Sequence, residues 1–183
     1  MFYHAVDSGG NRELGNVPRM EVEVVVEIPK GSRNKYEIDH ATGQPWLDRT
    51  LFTATMYPTD YGFFPHTLGE DGDPLDALVL LDEPTFPGCH VLARPVGVFW
   101  MSDEAGPDAK VLTVPATDPR WQHVQDLGDL APHVLDEIAH FFDVYKALEP
   151  GKGTEISEWQ GRVEAEKAVS EARTRYVPSA PNS

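Results

Sequence analysis

Four carboxylates lie within seven residues of one short segment, GEDGDPLDALVLL, and an apolar run at 77–81 follows them at once. The acids are Glu70, Asp71, Asp73 and Asp76. Carboxylates a few ångströms apart repel each other by about 1 to 4 kcal/mol per pair at effective dielectric constants of roughly 80 to 20. A divalent cation relieves this repulsion, and oxygen-only clusters are the ligands that hard cations such as Mg²⁺ prefer.

A simpler interpretation of the same segment is a solvated turn. Asp-Gly-Asp-Pro is a typical turn composition, in which the acids accept hydrogen bonds from nearby backbone and face water. An EF-hand loop is excluded, because its ligand spacing and the glycine at its sixth position are absent. Taken alone, the segment leaves both a metal site and an ordinary turn open.

Acidic residues recur at a second predicted turn, where Asp103, Glu104 and Asp108 come just before Lys110. If the strands form a barrel, both acidic turns lie at strand ends and can meet at one mouth. Glu27 and Glu37 lie on the polar faces of two earlier predicted strands, where a solvated surface is the ordinary interpretation.

Cationic and phenolic side chains are interleaved with these acids along the chain. Metal ions bound by aspartates bridge to phosphate oxygens, while Lys, Arg and Tyr bind the remaining oxygens. A phosphate-containing ligand therefore suits this mixture. Tyr145 also lies on the apolar stripe of a predicted helix, so a core position is its ordinary interpretation. The candidate phosphate-binding residues are Lys35, Arg49, Tyr61, Lys110, Tyr145 and Lys146.

Strand patterns dominate the part of the chain that must position these side chains. In EVEVVVEIP (21–29), alternate valines and an isoleucine predict a strand with one apolar face. KYEID (35–39) and PWLDRTLFT (45–53) predict a hairpin around the turn ATGQ. With further turns every ten residues or so up to residue 115, the pattern indicates an antiparallel barrel.

Two later segments complete the predicted barrel. The apolar run 77–81 predicts a core strand that fixes the acids before it. HVLARPVGVFWM (90–101) predicts one strand that bends at Pro95 and Gly97, and KVLTVP (110–115) predicts another.

The last third of the chain is predicted to be helical. Apolar residues over 134–148, the last of them Leu148, recur at spacings of three and four and predict an amphipathic helix that ends at Pro150–Gly151. A second helix is predicted from Ser157, with Gln160 completing a capping box. The predicted fold class is mainly β with α (α+β).

One domain is expected, because 183 residues suffice for a single sizeable core. We predict a flexible N-terminal arm at 1–19, one folded domain at 20–176 and a disordered tail at 177–183. Met20 stands directly before the first strand, and one hypothesis is that it is the native start.

Composition limits the classes of function. Thirty acids against 15 bases give a formal net charge of −15, which argues against nucleic-acid binding because that binding depends on Lys and Arg. No apolar run approaches the roughly 20 residues needed to span a bilayer, and no secretory signal is expected at the start. The single cysteine, Cys89, excludes an internal disulfide framework and fits a reducing compartment.

The hexapeptide DGDPLD (71–76) resembles the signature of the soluble family I inorganic pyrophosphatases of the bacterial type. The resemblance covers roughly residues 21–175. Its further blocks, collinear with those of the family, are EIPKGSRNKYEID, LDR, YPTDYGF, ARPVG, MSDEAGPDAK and HFFDVYKALEPGK.

This resemblance implies a five-stranded OB-like closed β-barrel flanked by two C-terminal helices. It implies Mg²⁺-dependent hydrolysis of pyrophosphate to two orthophosphates in the cytoplasm, by a homohexamer without nucleic-acid or membrane partners. Asp73 matches the group that activates the attacking water, and Asp108 is the alternative proton acceptor. The implied metal positions are Glu27, Glu37, Asp71, Asp76, Asp103 and Asp108.

Two other classes of protein stay open at this point. A non-catalytic Ca²⁺-binding module explains the acids but leaves Lys35, Arg49, Lys110 and Lys146 without a role. An OB-fold nucleic-acid binder requires a basic groove with stacking aromatic side chains, and the net charge argues against that.

Overall fold

The computed structural model describes residues 19–39, 41–103, 106–151 and 155–177. Within these ranges the chain forms eight strands and two α-helices. Their bounds are β1 Val22–Ile28, β2 Asn34–Ile38, β3 Pro45–Thr50, β4 Asp60–Phe63, β5 Asp76–Val79, β6 His90–Asp103, β7 Gly106–Pro115, α1 Pro132–Val144, β8 Glu155–Gly161 and α2 Arg162–Arg175.

Five of the strands form a closed ring. Strand β1 pairs antiparallel with both β4 and β6, and β4 pairs antiparallel with β5. Strands β5 and β7 are parallel, and β7 returns antiparallel to β6. Since the pairings lead back to β1, the predicted five-stranded barrel is confirmed, but the prediction that it is antiparallel throughout was wrong, because β5 and β7 run parallel. The predicted hairpin of β2 and β3 forms a separate two-stranded sheet, and β8 adds to the barrel beside β6.

Strand β1 shows why the alternating sequence gives a barrel wall. The predicted apolar residues from Val22 to Ile28 are all buried: Val22 and Val24 belong to a core cluster that includes α2 residues, and Ile28 belongs to one that includes α1 residues. The opposite face is not wholly polar, because Val25 is also buried, against Ile38 of β2 and Phe63 of β4. This small cluster packs the hairpin onto the barrel wall, next to Glu27.

Strand β6 runs the length of the barrel and bends as predicted. Its register with β7 shifts between Pro95 and Gly97. A Cβ atom at Gly97 would lie 2.2 Å from Cδ2 of Leu127, so the bend also brings the 119–130 segment close against the strand.

Helix α1 covers the barrel core, but it ends earlier than predicted. Ile138, Phe141 and Tyr145 are buried as the stripe predicts, whereas 65% of Leu148 is exposed. After Val144 the chain winds more tightly: Ala147 and Glu149 donate backbone hydrogen bonds to carbonyls three residues back. This winding rotates Leu148 away from the core, so the predicted end at Pro150–Gly151 was wrong.

The predicted capping box at Ser157 and Gln160 was also wrong. These residues belong to β8, whose backbone groups pair with β6, and Trp159 packs on Phe99 with ring centroids 4.9 Å apart. Helix α2 begins at Arg162, whose backbone N–H donates to the Asp126 side chain at 3.3 Å. The prediction of two C-terminal helices is otherwise confirmed.

The predicted terminal boundaries stay predictions. Residues 1–18 of the predicted arm and 178–183 of the predicted tail lie outside the described residues, as does Glu104 of the second acidic turn. Among the described helices none is long and apolar enough to cross a membrane.

Candidate active site

A polar cavity of about 590 Å³ opens at one end of the barrel. It collects seven carboxylates, four cationic side chains and two tyrosines from distant parts of the chain. Its polar lining consists of Glu27, Lys35, Glu37, Asp48, Arg49, Tyr61, Asp71, Asp73, Asp76, Asp108, Lys110, Tyr145 and Lys146.

The parallel pairing of β5 and β7 forms the floor of this cavity. Parallel strands begin at the same end of a sheet, so Asp76 at the start of β5 lies in register with Lys110 on β7. Asp108 was predicted to lie in a turn but belongs to β7, where it precedes Lys110 by two residues and shares its face of the strand. Nζ of Lys110 lies 2.6 Å from Oδ2 of Asp76 and 3.0 Å from Oδ2 of Asp108.

Lys110 is a buried charge, with only 2% of its surface exposed. Burial alone would lower the pKa of Lys110, but the charges of Asp76 and Asp108 outweigh burial and raise that pKa above the ordinary lysine value. Its ammonium also lies 5.3 Å from the ring centre of Tyr61 and 5.0 Å from that of Phe142. Lys110 is therefore a fixed cation at the floor.

Tyr61 completes this floor from β4. Its hydroxyl donates a hydrogen bond to Oδ2 of Asp76. Burial, followed by the negative charges of Asp76 and Asp108, raises the pKa of Tyr61 well above its usual value. The phenol therefore keeps its proton at neutral pH and acts as a hydrogen-bond donor without adding charge.

The acidic turn that precedes β5 forms one rim. Gly72 has a φ of +97°, which a residue with a side chain rarely adopts, and the chain can therefore turn sharply there. The backbone N–H of Asp73 donates to Oδ1 of Asp71 at 3.2 Å, and the N–H of Gly69 donates to the Asp73 carbonyl at 2.6 Å. Burial raises the pKa of Asp71. The turn directs Asp71 and Asp73 to the same cavity as Asp76.

The β2–β3 hairpin forms the opposite rim. Lys35 pairs in register with Arg49, and Nζ of Lys35 contacts the carboxylates of Glu37 and Asp48, the latter at 3.2 Å. Asp48 also contacts Nη1 of Arg49. Burial opposes the charge of Lys35, but hydrogen bonds to Glu37 and Asp48 raise its pKa overall.

Glu27 lies between this hairpin and the floor. Its Oε1 accepts a hydrogen bond from the backbone N–H of Ile38 at 2.9 Å. Burial raises the pKa of Glu27 to about 7, and the nearby charge of Asp76 adds to this shift. The side chain thus holds a proton more tightly than an ordinary glutamate does.

The turn after α1 contributes Tyr145 and Lys146. Tyr145 is only 6% exposed and stacks on Phe141 with ring centroids 5.3 Å apart, yet it also lines the cavity. Nζ of Lys146 lies 5.4 Å from the Tyr145 ring centre. Burial raises the pKa of Tyr145, so this phenol is also a neutral donor. Its core position and its position in the site are therefore compatible.

Comparison with known proteins identifies the family. The family model described as inorganic pyrophosphatase matches residues 24–177. The inorganic pyrophosphatase of Streptomyces coelicolor is 60% identical over 157 residues, which cover 86% of this chain and 96% of that protein. The chain belongs to the inorganic pyrophosphatase family. The resemblance of DGDPLD and its collinear blocks is confirmed.

Solved structures of the family share the fold. The inorganic pyrophosphatase of Thermus thermophilus superposes with a TM-score of 0.83 at 46% identity, covering 94% of this chain and 97% of that one. The inorganic pyrophosphatase of Helicobacter pylori superposes with a TM-score of 0.84 at 43% identity, covering 91% of this chain and 99% of that one. The OB-like architecture expected from the resemblance is therefore confirmed.

Within this family fold, the structure brings together nearly all the residues that the sequence singled out. Asp103 and Glu70 are the exceptions: Asp103 ends β6 opposite Gly106 with its side chain outside the described part of the structure, and Glu70 is exposed and does not line this cavity. The functional roles of the assembled residues stay predictions. The candidate residues that line the common cavity are Glu27, Lys35, Glu37, Arg49, Tyr61, Asp71, Asp73, Asp76, Asp108, Lys110, Tyr145 and Lys146.

Sequence reasoning missed Asp48, although it contacts both Lys35 and Arg49. Strict alternation would put neighbouring residues of β3 on opposite faces. The register shifts here, because Lys35 pairs with Arg49 but the next residue, Tyr36, pairs with Leu47. Asp48 is thus the extra residue of a bulge, which lets it share a face with Arg49. The unbroken LDR block was the signal that pointed to it.

The donor set suits a hard divalent cation. Carboxylates outnumber cationic side chains in the cavity by seven to four, and hard cations prefer carboxylate oxygens. Within the described ranges, no three His, Cys, Asp or Glu side chains are already close enough together to hold an ion. Lys110 instead lies against both Asp76 and Asp108, which are therefore the oxygens that a divalent cation would share with the ammonium.

Proposed function

We propose that this chain hydrolyses inorganic pyrophosphate to two orthophosphates in the cavity at the barrel mouth, with Mg²⁺ as its cofactor. One observation carries the proposal: carboxylates, cationic side chains and protonated phenols line a single cavity in a chain of this family. A site that only stored divalent cations has no need of Lys110 or Arg49, since both repel them. The mixture suits a polyanion that is bound together with metal.

The carboxylates divide into two proposed roles. Asp73 lies on the exposed rim, where it can accept a proton from a water molecule that attacks phosphorus. Asp108 is the alternative proton acceptor, although Lys110 holds both of its oxygens within 3.1 Å. The proposed Mg²⁺ ligands are Glu27, Glu37, Asp71, Asp76, Asp103 and Asp108.

Bound Mg²⁺ would neutralise phosphate oxygens and lower the pKa of a water molecule that it binds. The chain's own cations would hold the oxygens of the leaving phosphate as negative charge develops there. Tyr61 and Tyr145 would donate hydrogen bonds without changing the charge of the site. The proposed phosphate-binding residues are Lys35, Arg49, Tyr61, Lys110, Tyr145 and Lys146.

The cellular location and the oligomeric state of the enzyme are also proposals. We propose that it acts as a cytoplasmic homohexamer, in agreement with the family resemblance and with the single cysteine. Sedimentation velocity of the full chain tests the oligomer: a species near six times the 20.3 kDa chain mass is expected, and a monomer alone would contradict it.

Release of orthophosphate from pyrophosphate tests the activity. The full chain should release phosphate with Mg²⁺ and lose that activity in excess EDTA. Asp76→Asn keeps the shape of the side chain but removes its charge, and it should slow turnover by about two orders of magnitude. The matched control is Asp82→Asn, which changes an exposed carboxylate beyond the other end of β5 and should leave the enzyme active. Absence of phosphate release with Mg²⁺ would overturn the proposal.

A further inference from the structure

Glu149 is a buried carboxylate directly behind the cavity. Only 5% of its side chain is exposed, and it is not one of the residues that line the cavity. It accepts three hydrogen bonds from Arg49, which lies 100 residues away in the chain. Nε of Arg49 lies 3.0 Å from Oε1, and Nη2 lies 2.8 Å from Oε1 and 3.1 Å from Oε2.

This forked geometry fixes the guanidinium more strictly than a single contact would. Two donor groups on one edge of Arg49 meet the carboxylate together, which restrains both the position and the plane of the guanidinium. Burial opposes the charge of Arg49, but the hydrogen bonds and charge of Glu149 outweigh it and raise the pKa of Arg49. The Nη1 group of Arg49 contacts Asp48 on the cavity side.

Glu149 also belongs to the turn that carries two other phosphate-binding candidates. Its backbone N–H donates to the carbonyl of Lys146 at 2.8 Å, and that turn begins at Tyr145. One residue therefore joins β3, which carries Arg49, to the turn that carries Tyr145 and Lys146. No regular strand pairing links these two parts of the chain in the described structure.

We infer that Glu149 is a positioning residue, which orients Arg49 and holds the turn with Tyr145 and Lys146 at a fixed distance from β3. The inference rests on the proposed function, because phosphate is the ligand that these three side chains would share. Glu149 acts through Arg49 and touches no substrate. Its loss should therefore weaken phosphate binding without removing any contacting group.

The first test measures ligand affinity. Glu149→Gln keeps the size of the side chain but removes its charge and places an N–H₂ group against the Arg49 donors. We expect KM for pyrophosphate and the calorimetric Kd for orthophosphate to rise about tenfold, with a smaller change in kcat. Glu149→Asp should give an intermediate Kd. Glu166→Gln, which breaks an ion pair of α2 with Arg162 at 3.2 Å, is the matched control and should leave both constants unchanged.

A double-mutant cycle separates positioning from general destabilisation. If Glu149 acts through Arg49, Glu149→Gln should have little further effect on the Kd for orthophosphate once Arg49→Lys is present. Strictly additive effects, or a Kd in Glu149→Gln equal to that of the wild type, would overturn the inference.

Chemical modification of Arg49 tests the inference without an activity assay. In the wild type, Glu149 covers the Nε and Nη2 edge of Arg49, so phenylglyoxal should modify this arginine slowly. Peptide mass spectrometry should show faster modification in Glu149→Gln and in Glu149→Asp, and equal rates in all three proteins would contradict the inference. If the wild type releases no phosphate but the modification rates differ as expected, the proposed function fails while the contact with Arg49 stands.

Discussion

Asp76 and Lys110 face each other across the parallel strands β5 and β7, with Nζ of the lysine 2.6 Å from Oδ2 of the aspartate. Asp108, which lies on β7 with Lys110, contacts the same ammonium at 3.0 Å. A protein cation thus already neutralises part of the charge at the point where the carboxylates converge. Binding of a divalent cation to these oxygens must rearrange or share this ion pair.

Removal of the Lys110 charge should make the fold depend on divalent cations. In Lys110→Met, Asp76 and Asp108 lose the partner that offsets their mutual repulsion. Loss of one member of a buried ion pair costs about 3 to 5 kcal/mol. We expect a lower melting temperature than that of the wild type in EDTA, and a larger rise on addition of Mg²⁺. Equal melting temperatures in EDTA would contradict this assignment, and Lys167→Met on the exposed face of α2 is the control.

Glu27 should make the metal-free protein less stable as the pH rises. Burial raises its pKa from 4.5 to about 7 in the folded state, so the folded protein holds a proton that the unfolded chain releases. The stabilisation is complete below pH 4.5 and is lost as the pH rises through 7. A shift of this size corresponds to about 3 kcal/mol. Urea unfolding in EDTA between pH 5 and 8 measures the loss.

Glu27→Gln is the variant that isolates this carboxyl group. Glutamine keeps an oxygen that can accept the hydrogen bond from the Ile38 N–H, but it does not titrate. Its free energy of unfolding should fall less between pH 5 and 8 than that of the wild type. Parallel pH profiles for the two proteins would show that Glu27 ionises in the folded state as it does in the unfolded chain.

Asp73 should affect the chemical step more than metal binding. Its backbone N–H and carbonyl hold the acidic turn, and Asp73→Asn leaves both of them in place. The substitution replaces the charged, proton-accepting carboxylate with a neutral amide of the same shape. We expect kcat to fall about 100-fold or more, while the Mg²⁺ concentration for half-maximal rate changes little. Recovery of the full rate at high Mg²⁺ would instead identify Asp73 as a metal ligand.

Tyr145 should be dispensable for folding but not for phosphate binding. Tyr145→Phe keeps the ring that stacks on Phe141 and removes only the hydroxyl. The melting temperature should stay close to that of the wild type, whereas orthophosphate should bind about five- to tenfold more weakly, since one hydrogen bond contributes roughly 1 kcal/mol. Tyr176→Phe at the end of α2 is the matched control. An unfolded Tyr145→Phe protein would favour a purely structural role.

Much of the barrel and its mouth was predictable from local patterns. Alternation in β1 and the apolar run in β5 gave strands with defined faces, and the acids stood at the strand ends that a barrel gathers together. The bend at Pro95 and Gly97 also followed from composition. These features depend on neighbours in the sequence, which is why the sequence predicted them.

The parts that were missed depend on contacts between distant segments. Ser157 and Gln160 have the spacing of a capping box, but both belong to β8, in which Gln160 pairs with Val98 of β6. Asp48 reaches the cavity through a bulge, which strict alternation along the hairpin does not predict. Glu149 follows a helix and belongs to no periodic pattern in the sequence. Its inferred role depends on Arg49, which lies 100 residues away in the chain.

Gly62 should be essential for closing the barrel at the junction of β1 and β4. A Cβ atom at this position would lie 2.0 Å from the carbonyl oxygen of Val25, and a backbone atom cannot move aside as a flexible side chain can. Gly62→Ala should therefore cost roughly 3 kcal/mol or more, which lowers the melting temperature by about 10 °C for a domain of this size. In Gly128→Ala the added Cβ meets no atom within 4 Å, so this control should melt close to the wild type. A wild-type melting temperature for Gly62→Ala would mean that β1 and β4 can separate at this junction without loss of stability.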